Sequence, residues 1–215
     1  MAPVQADTRE RELERARRWL RRRDADLAEV IRRVGRCGLD LRGDPYRYLV
    51  RSVLYQQISG HAARAIETRL KGEFGGRIPA AARLRSISPV RLRRLGLSRQ
   101  KAASVRAIAA AFGDRTLDAR RLRRLEDEAV VEAVTQVRGV GEWTAHMLLM
   151  FSLGRMDVLP VGDYGIRKGA LAVYRLRSLP TPGELERLAE PWRPYRSVAS
   201  WYLWRATEIV LPALA

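Results

Sequence analysis

The chain has 215 residues, 47% of them apolar. That suffices for one compact domain or two small lobes and is too apolar for a disordered chain. Basic residues number 41 against 24 acidic ones, a net charge of +17, and only Lys71, Lys101 and Lys168 are lysines. Such a balance disfavours cationic partners and favours a polyanion, whose phosphates suit the planar arginine fork. The single Cys37 excludes an intrachain disulfide and any four-cysteine iron–sulfur or zinc site. His61 and His146 do not stand at metal-ligand spacing. No apolar run reaches the roughly 18 residues of a membrane span, and no hydrophobic leader opens the chain. The arginine-rich start carries Asp7, Glu10, Glu12 and Glu14, unlike a transit peptide. The expected setting is the reducing cytoplasm, away from membranes.

In chain order the pattern is helical throughout. Residues 8–22 carry a stripe of Leu13, Ala16, Trp19 and Leu20. Residues 24–34 repeat it with Leu27, Val30, Ile31 and Val34, opened by Asp24 as a cap and stopped by Gly35 and Gly38. Asp44-Pro45 pairs a capping residue with proline at the first helical position, ahead of Leu49, Val50, Val53 and Leu54. A further helix runs from about Gly60 to Phe74; Ser88-Pro89 opens a short one closing at Gly96, and Ser98 opens another closing at Gly113. Thr181-Pro182-Gly183-Glu184 has the form of a capping box, and a last helix spans roughly 194–210. Only 156–161 reads as extended, too short to found a sheet. The prediction is an all-α, two-lobed fold of about ten to twelve helices with tight connections. Residues 1–43 are expected to pack as N-terminal helices on the C-terminal ones, with 44–215 as the core. The basic first helix fits a solvated face or an arm on a polyanion.

Two segments carry chemistry. In Ala133–Leu149 an apolar helix ends, Val137-Arg138-Gly139-Val140-Gly141 forms a corner, and Glu142-Trp143-Thr144-Ala145 starts a new helix. The glycines permit positive φ and close approach, and the amides of Val140, Gly141 and Glu142 are expected to lie unpaired at a helix start. Such a place binds an anion, here a DNA phosphate held without base readout, although an ordinary helix–helix turn has the same form. Farther on, Pro160-Val161-Gly162-Asp163 brings an extended piece to a helix start. Asp163 reads either as an N-cap or as a carboxylate at the mouth of a binding cleft.

Together these segments resemble the helix-hairpin-helix DNA glycosylase superfamily. Arg51-Ser52-Val53-Leu54-Tyr55-Gln56-Gln57-Ile58-Ser59 is similar to the helix junction of its 3-methyladenine DNA glycosylase II branch. So are Leu95-Gly96-Leu97-Ser98 with Lys101-Ala102 and the aromatic stretch Pro194–Glu208. The likeness spans about residues 44–210. There is no room for the small α/β domain that some relatives carry, and the cysteine quartet of the iron–sulfur relatives is absent. Bifunctional relatives place a Schiff-base lysine two residues after the last hairpin glycine, where this chain has Trp143.

The resemblance therefore implies a monofunctional base excision repair enzyme for alkylated purines such as 3-methyladenine and 7-methylguanine, acting on double-stranded DNA by base flipping. It implies Asp163 as the catalytic carboxylate beside an oxocarbenium-like sugar. A base that is already cationic leaves without a general acid. The base pocket falls on Trp143, Trp204, Tyr55 and Met147, with His146, Tyr164, Trp201 and Tyr202 as lesser candidates. Gln57 and Ile58 are the wedge filling the gap left by the flipped nucleotide. Arg138, Gly139, Val140, Gly141 and Glu142 grip phosphate. Main-chain carbonyls of Thr135, Val137 and Gly139 would hold a structural Na+ or K+; no other cofactor is expected, and neither is an iron–sulfur cluster. A monomer near the nucleoid is expected. A non-catalytic helix-hairpin-helix DNA-binding module and a glycosylase for oxidised or deaminated bases are the alternatives.

Overall fold

A computed structural model of the chain describes residues 2–39 and 43–209. Its α-helices are α1 (Ala2–Arg23), α2 (Ala25–Val34), α3 (Pro45–Tyr55), α4 (Gly60–Gly72), α5 (Ala81–Ser86), α6 (Pro89–Arg94) and α7 (Arg99–Gly113). There follow α8 (Ala119–Leu122), α9 (Asp127–Thr135), α10 (Glu142–Leu148), α11 (Tyr164–Val173), α12 (Pro182–Leu188) and α13 (Arg196–Ile209). A π-helical turn, Leu149–Leu153, continues α10, and a 3-10 turn, Glu190–Trp192, precedes α13. The described residues contain no β-strand. The all-α prediction holds, with thirteen α-helices against the ten to twelve expected. The single-turn α8 has too few residues to show a periodic stripe; Asp118, accepting from the Arg120 and Arg121 amides, defines it. No helix among the described residues is long and apolar enough to cross a membrane.

The helices form two compact units. One comprises residues 1–40 and 155–215, the other residues 41–154. In the first unit the N-terminal helices α1 and α2 pack on α13, and α2 also meets α11, so both ends of the chain share one core. The physical reason is the apolar stripe of α2, whose Leu27, Val30 and Ile31 bury into the same core as Trp192, Tyr202 and Leu203. Each such side chain removed from water stabilises by about 1.5–3 kcal/mol. Asp24 pins the arrangement. Its Oδ1 caps α2 at the Leu27 amide (2.9 Å), while Oδ2 accepts from Tyr174 Oη (2.6 Å) and Trp192 Nε1 (2.8 Å).

In the second unit α7 is central, packed by α3, α5 and α6. Side-chain caps set the helix starts: Asp44 for α3, Ser59 for α4, Ser88 for α6 and Ser98 for α7. The far end of α3 is held by a cation. Lys101 Nζ donates to the Leu54 carbonyl at 2.7 Å, satisfying a helix C-terminus, and burial lowers the lysine's pKa. A partly buried ion cluster braces α3 against α4: Glu67 accepts from Tyr55 Oη (2.9 Å) and pairs with Lys71 (2.7 Å) and Arg51 (3.3 Å).

Candidate active site

In the second unit, α9 ends at Thr135 and Gly141 caps α10. Only one of the two glycines takes positive φ: Gly139, at +87°. A Cβ there would run into Ser104 Oγ and lie 2.5 Å from Ser104 Cβ, so the corner is seated on α7. Gly141 has an ordinary extended φ of −95°, and nothing lies within 4 Å of where its Cβ would be. The first glycine serves packing; the second keeps the helix start open to an approaching group.

The expected trio of unpaired amides is reduced by one. Val140 N–H turns inward to the Val137 carbonyl at 3.0 Å, and the Val140 side chain is buried. A five-residue corner needs that internal bond to close. The Gly141 and Glu142 amides open α10, where no earlier carbonyl of the helix can accept them. Arg138 is exposed beside them.

The junction after α3 meets the same corner. Gln56 Nε2 donates to the Gly139 carbonyl at 3.1 Å. Gln57 follows in the left-handed region with φ +55°, unusual for a residue with a side chain. Gln57 and Ile58 are both exposed, Ile58 at 38%. Along α10, Trp143 is 48% exposed, whereas Met147 is 4% exposed and belongs to the core. Burial lowers the His146 pKa despite the opposing pull of Glu142 and Asp127. Burial thus disfavours the imidazolium form of this ring. Tyr55 is engaged by the Glu67 cluster, with the Arg51 guanidinium 4.3 Å from its ring centre. That leaves it a bracing part more than an open platform.

In the first unit, Asp163 caps α11. It is 8% exposed. Its amide donates to the Pro160 carbonyl (2.9 Å), so the Pro160–Gly162 turn delivers it to the helix start. Its Oδ1 accepts from the Ile166 amide at 2.8 Å and from Trp204 Nε1 at 2.9 Å. A buried carboxylate backed by an indole is thereby built from α11 and α13. Asp157, the neighbouring acid, is engaged by two arginines: it accepts from Arg193 at 2.9 Å and from Arg196 at 2.8 and 3.0 Å. Among the lesser aromatics, Tyr164 is 65% exposed, while Tyr202 is fully buried with its hydroxyl donating to the Gly35 carbonyl. Tyr202 is therefore a core residue, not a pocket wall; Trp201 packs edge-on against it.

The model of the HhH-GPD superfamily of base excision DNA repair proteins matches residues 50–194, spanning the glycine corner and the capped carboxylate. The chain belongs to this family. It is 36% identical over 168 residues to DNA-3-methyladenine glycosylase 1 of Schizosaccharomyces pombe, covering 77% of this chain and 74% of that one. The structure of the Schizosaccharomyces pombe 3-methyladenine DNA glycosylase in complex with abasic DNA aligns with TM-score 0.82 and 32% identity, over 91% of this chain and 97% of that one. A DNA-3-methyladenine glycosidase of Bacillus halodurans aligns with TM-score 0.80 and 35% identity, over 88% and 87%.

For this HhH-GPD member the structure adds three residues to those read from the sequence. Ser104 forms the floor under Gly139, Gln56 reaches the Gly139 carbonyl, and Gly165 lies beneath Trp204. The first two contacts link segments 35 and 83 residues apart, and no local pattern announces them.

Proposed function

We propose that this protein is a monofunctional DNA glycosylase that hydrolyses the N-glycosidic bond of alkylated purines, 3-methyladenine and 7-methylguanine, in double-stranded DNA. The observation that carries the reading is Asp163: a buried carboxylate fixed at a helix start by the Ile166 amide and the Trp204 indole. The relatives named for 3-methyladenine support the lesion class.

The chemistry follows from the residues. The +17 charge draws the duplex in, and the Gly141 and Glu142 amides with Arg138 grip a phosphate without reading sequence. The damaged nucleotide leaves the stack at a cost of a few kcal/mol, and exposed Gln57 and Ile58 fill the gap. The cationic base stacks on an indole face, for which Trp143 and Trp204 are the candidates. The C1′–N bond then breaks with its electron pair going to the base, which departs neutral. Asp163 stabilises the sugar cation, orients the attacking water and takes its proton. No general acid is needed, because the base is cationic before the bond breaks.

No lyase step is proposed. Trp143 stands at the position where the resemblance puts a Schiff-base lysine, and two of the three lysines are engaged, Lys71 with Glu67 and Lys101 with the Leu54 carbonyl. The carbonyls of Thr135, Val137 and Gly139 would hold a monovalent cation and tie the corner to phosphate. The donor set fits: Val137 and Gly139 each accept one N–H, and a carbonyl oxygen has a second lone pair. The protein is read as a monomer acting at the nucleoid.

The test is base-release chromatography on duplexes carrying 7-methylguanine, 3-methyladenine, hypoxanthine or 8-oxoguanine, without added divalent metal. A borohydride-trapping and strand-nicking assay accompanies it. Release of the methylated purines with no nick and no trapped adduct is expected. Binding without any release would make the protein a DNA-gripping module, and release of only the last two bases would move it to another lesion class.

A further inference from the structure

We infer that Trp204 is a positioning residue for the Asp163 carboxylate, and that Gly165 is the gap through which it acts. The inference rests on Asp163 being the catalytic carboxylate. Trp204 sits on α13, 41 residues from Asp163, yet its Nε1–H lies 2.9 Å from Asp163 Oδ1. The same oxygen accepts the Ile166 amide. The helix cap alone ties the carboxylate to its own first turn. The indole adds a donor from a different helix, and the two Oδ atoms then cannot exchange by rotation about χ2 without breaking both bonds.

The helix pairing is built for this contact. On α11, Gly165 and Gly169 are four residues apart and so share a face. A glycine is less favourable than alanine inside a helix, so two in a ten-residue helix require a reason. At Gly169 the reason is backbone approach: a Cβ would strike the Leu203 carbonyl oxygen and lie 2.7 Å from its carbon. At Gly165 it is the indole. A Cβ would stand 2.9 Å from Trp204 Cδ1, 3.1 Å from Nε1 and 3.2 Å from Asp163 Oδ1. Any side chain at 165 therefore enters the space of the hydrogen bond itself.

This role differs from stacking. A ring face that binds a cationic base needs carbon and quadrupole, which phenylalanine also offers. Holding a carboxylate needs the N–H, which phenylalanine lacks. Electrostatic catalysis rewards a charge already in place, and misplacement by about an ångström is worth on the order of 10² in rate.

The experiment compares wild type, Trp204→Phe, Gly165→Ala and Asp163→Asn in the full chain. It measures single-turnover release of 7-methylguanine at saturating enzyme, duplex affinity and melting temperature. Trp204→Phe should lose roughly 10- to 100-fold in single-turnover rate, with duplex affinity and melting temperature unchanged. Gly165→Ala should show the same loss although it keeps the whole indole. If it proves unstable, Trp204→Phe alone decides. A Trp204→Phe rate within about twofold of wild type, or a loss confined to affinity, overturns the positioning role. A fully active Asp163→Asn instead overturns the catalytic reading on which the inference rests, so the two failures are told apart.

Discussion

Gly139→Ala puts the corner under direct strain. The residue sits at φ +87°, where a side chain costs roughly 1–2 kcal/mol. The new Cβ also meets Ser104, which is 2% exposed on α7 and has no room to move away. Overpacking of this kind typically costs about 1–3 kcal/mol. The sum, about 2–5 kcal/mol, is a large part of the roughly 5–15 kcal/mol that stabilises a domain. Urea unfolding of Gly139→Ala, Ser104→Gly and the double variant separates the two costs. Ser104→Gly removes the obstructing atoms and leaves the φ penalty, so the pair should couple favourably by about 1–3 kcal/mol. The single Gly139→Ala variant should also bind undamaged and damaged duplexes more weakly by the same factor, because the shifted corner carries the phosphate-gripping amides. A stability within about 0.5 kcal/mol of wild type, or an additive double variant, would refute the reasoning.

Duplex affinity should fall with salt at a log–log slope near −0.9 per neutralised phosphate, and Arg138→Ala should reduce that slope by about one; titrations at several salt concentrations check both. Trp143→Ala should impair release of the cationic 7-methylguanine more than release of a neutral base, by the cation–π contribution of about 0.5–2 kcal/mol; parallel single-turnover assays read the ratio. Glu67 is pushed upward by burial, but its bonds from Lys71 and Tyr55 and the Arg51 charge prevail and lower its pKa. A depressed folded-state pKa means stability that is complete above the unfolded value and lost as pH falls through the folded one. Melting curves from about pH 7 down to about pH 3 should therefore converge for wild type and Glu67→Gln at the acidic end and separate at the neutral end.

Much of the fold was legible because its signals are local. The caps at Asp24, Asp44, Ser88, Ser98 and Thr181 all form as side-chain bonds to helix amides. Asp163 offers two readings, cap or functional carboxylate; the structure shows the cap, with the same oxygen accepting the Trp204 indole. What the sequence could not display is contact between distant segments. Tyr202 and Trp204 lie two residues apart on an aromatic helix, yet one is sealed under Gly35 and the other reaches Asp163. Helical periodicity separates faces, but it does not say which neighbour each face meets. Likewise Val140 has the look of a free amide donor until the turn closes on Val137. The packing of α11 and α13 on α2 likewise spans more than a hundred intervening residues, and no local pattern displays which faces meet.

The central claim is that the Asp163 charge performs the chemistry, and Asp163→Asn tests it most directly. Asparagine keeps an Oδ1 that can accept from both the Ile166 amide and the Trp204 indole, so cap and packing survive while the negative charge is lost. The exposed Glu186 on α12 supplies the control Glu186→Gln. A fixed charge facing a developing cation is worth about 3–4 kcal/mol, or roughly 10²–10³ in rate. Single-turnover release of 7-methylguanine from a methylated duplex should fall by that factor in Asp163→Asn, with folding and DNA affinity intact and the control fully active. Release by Asp163→Asn at the wild-type rate would contradict the account and leave Asp163 as a helix cap alone.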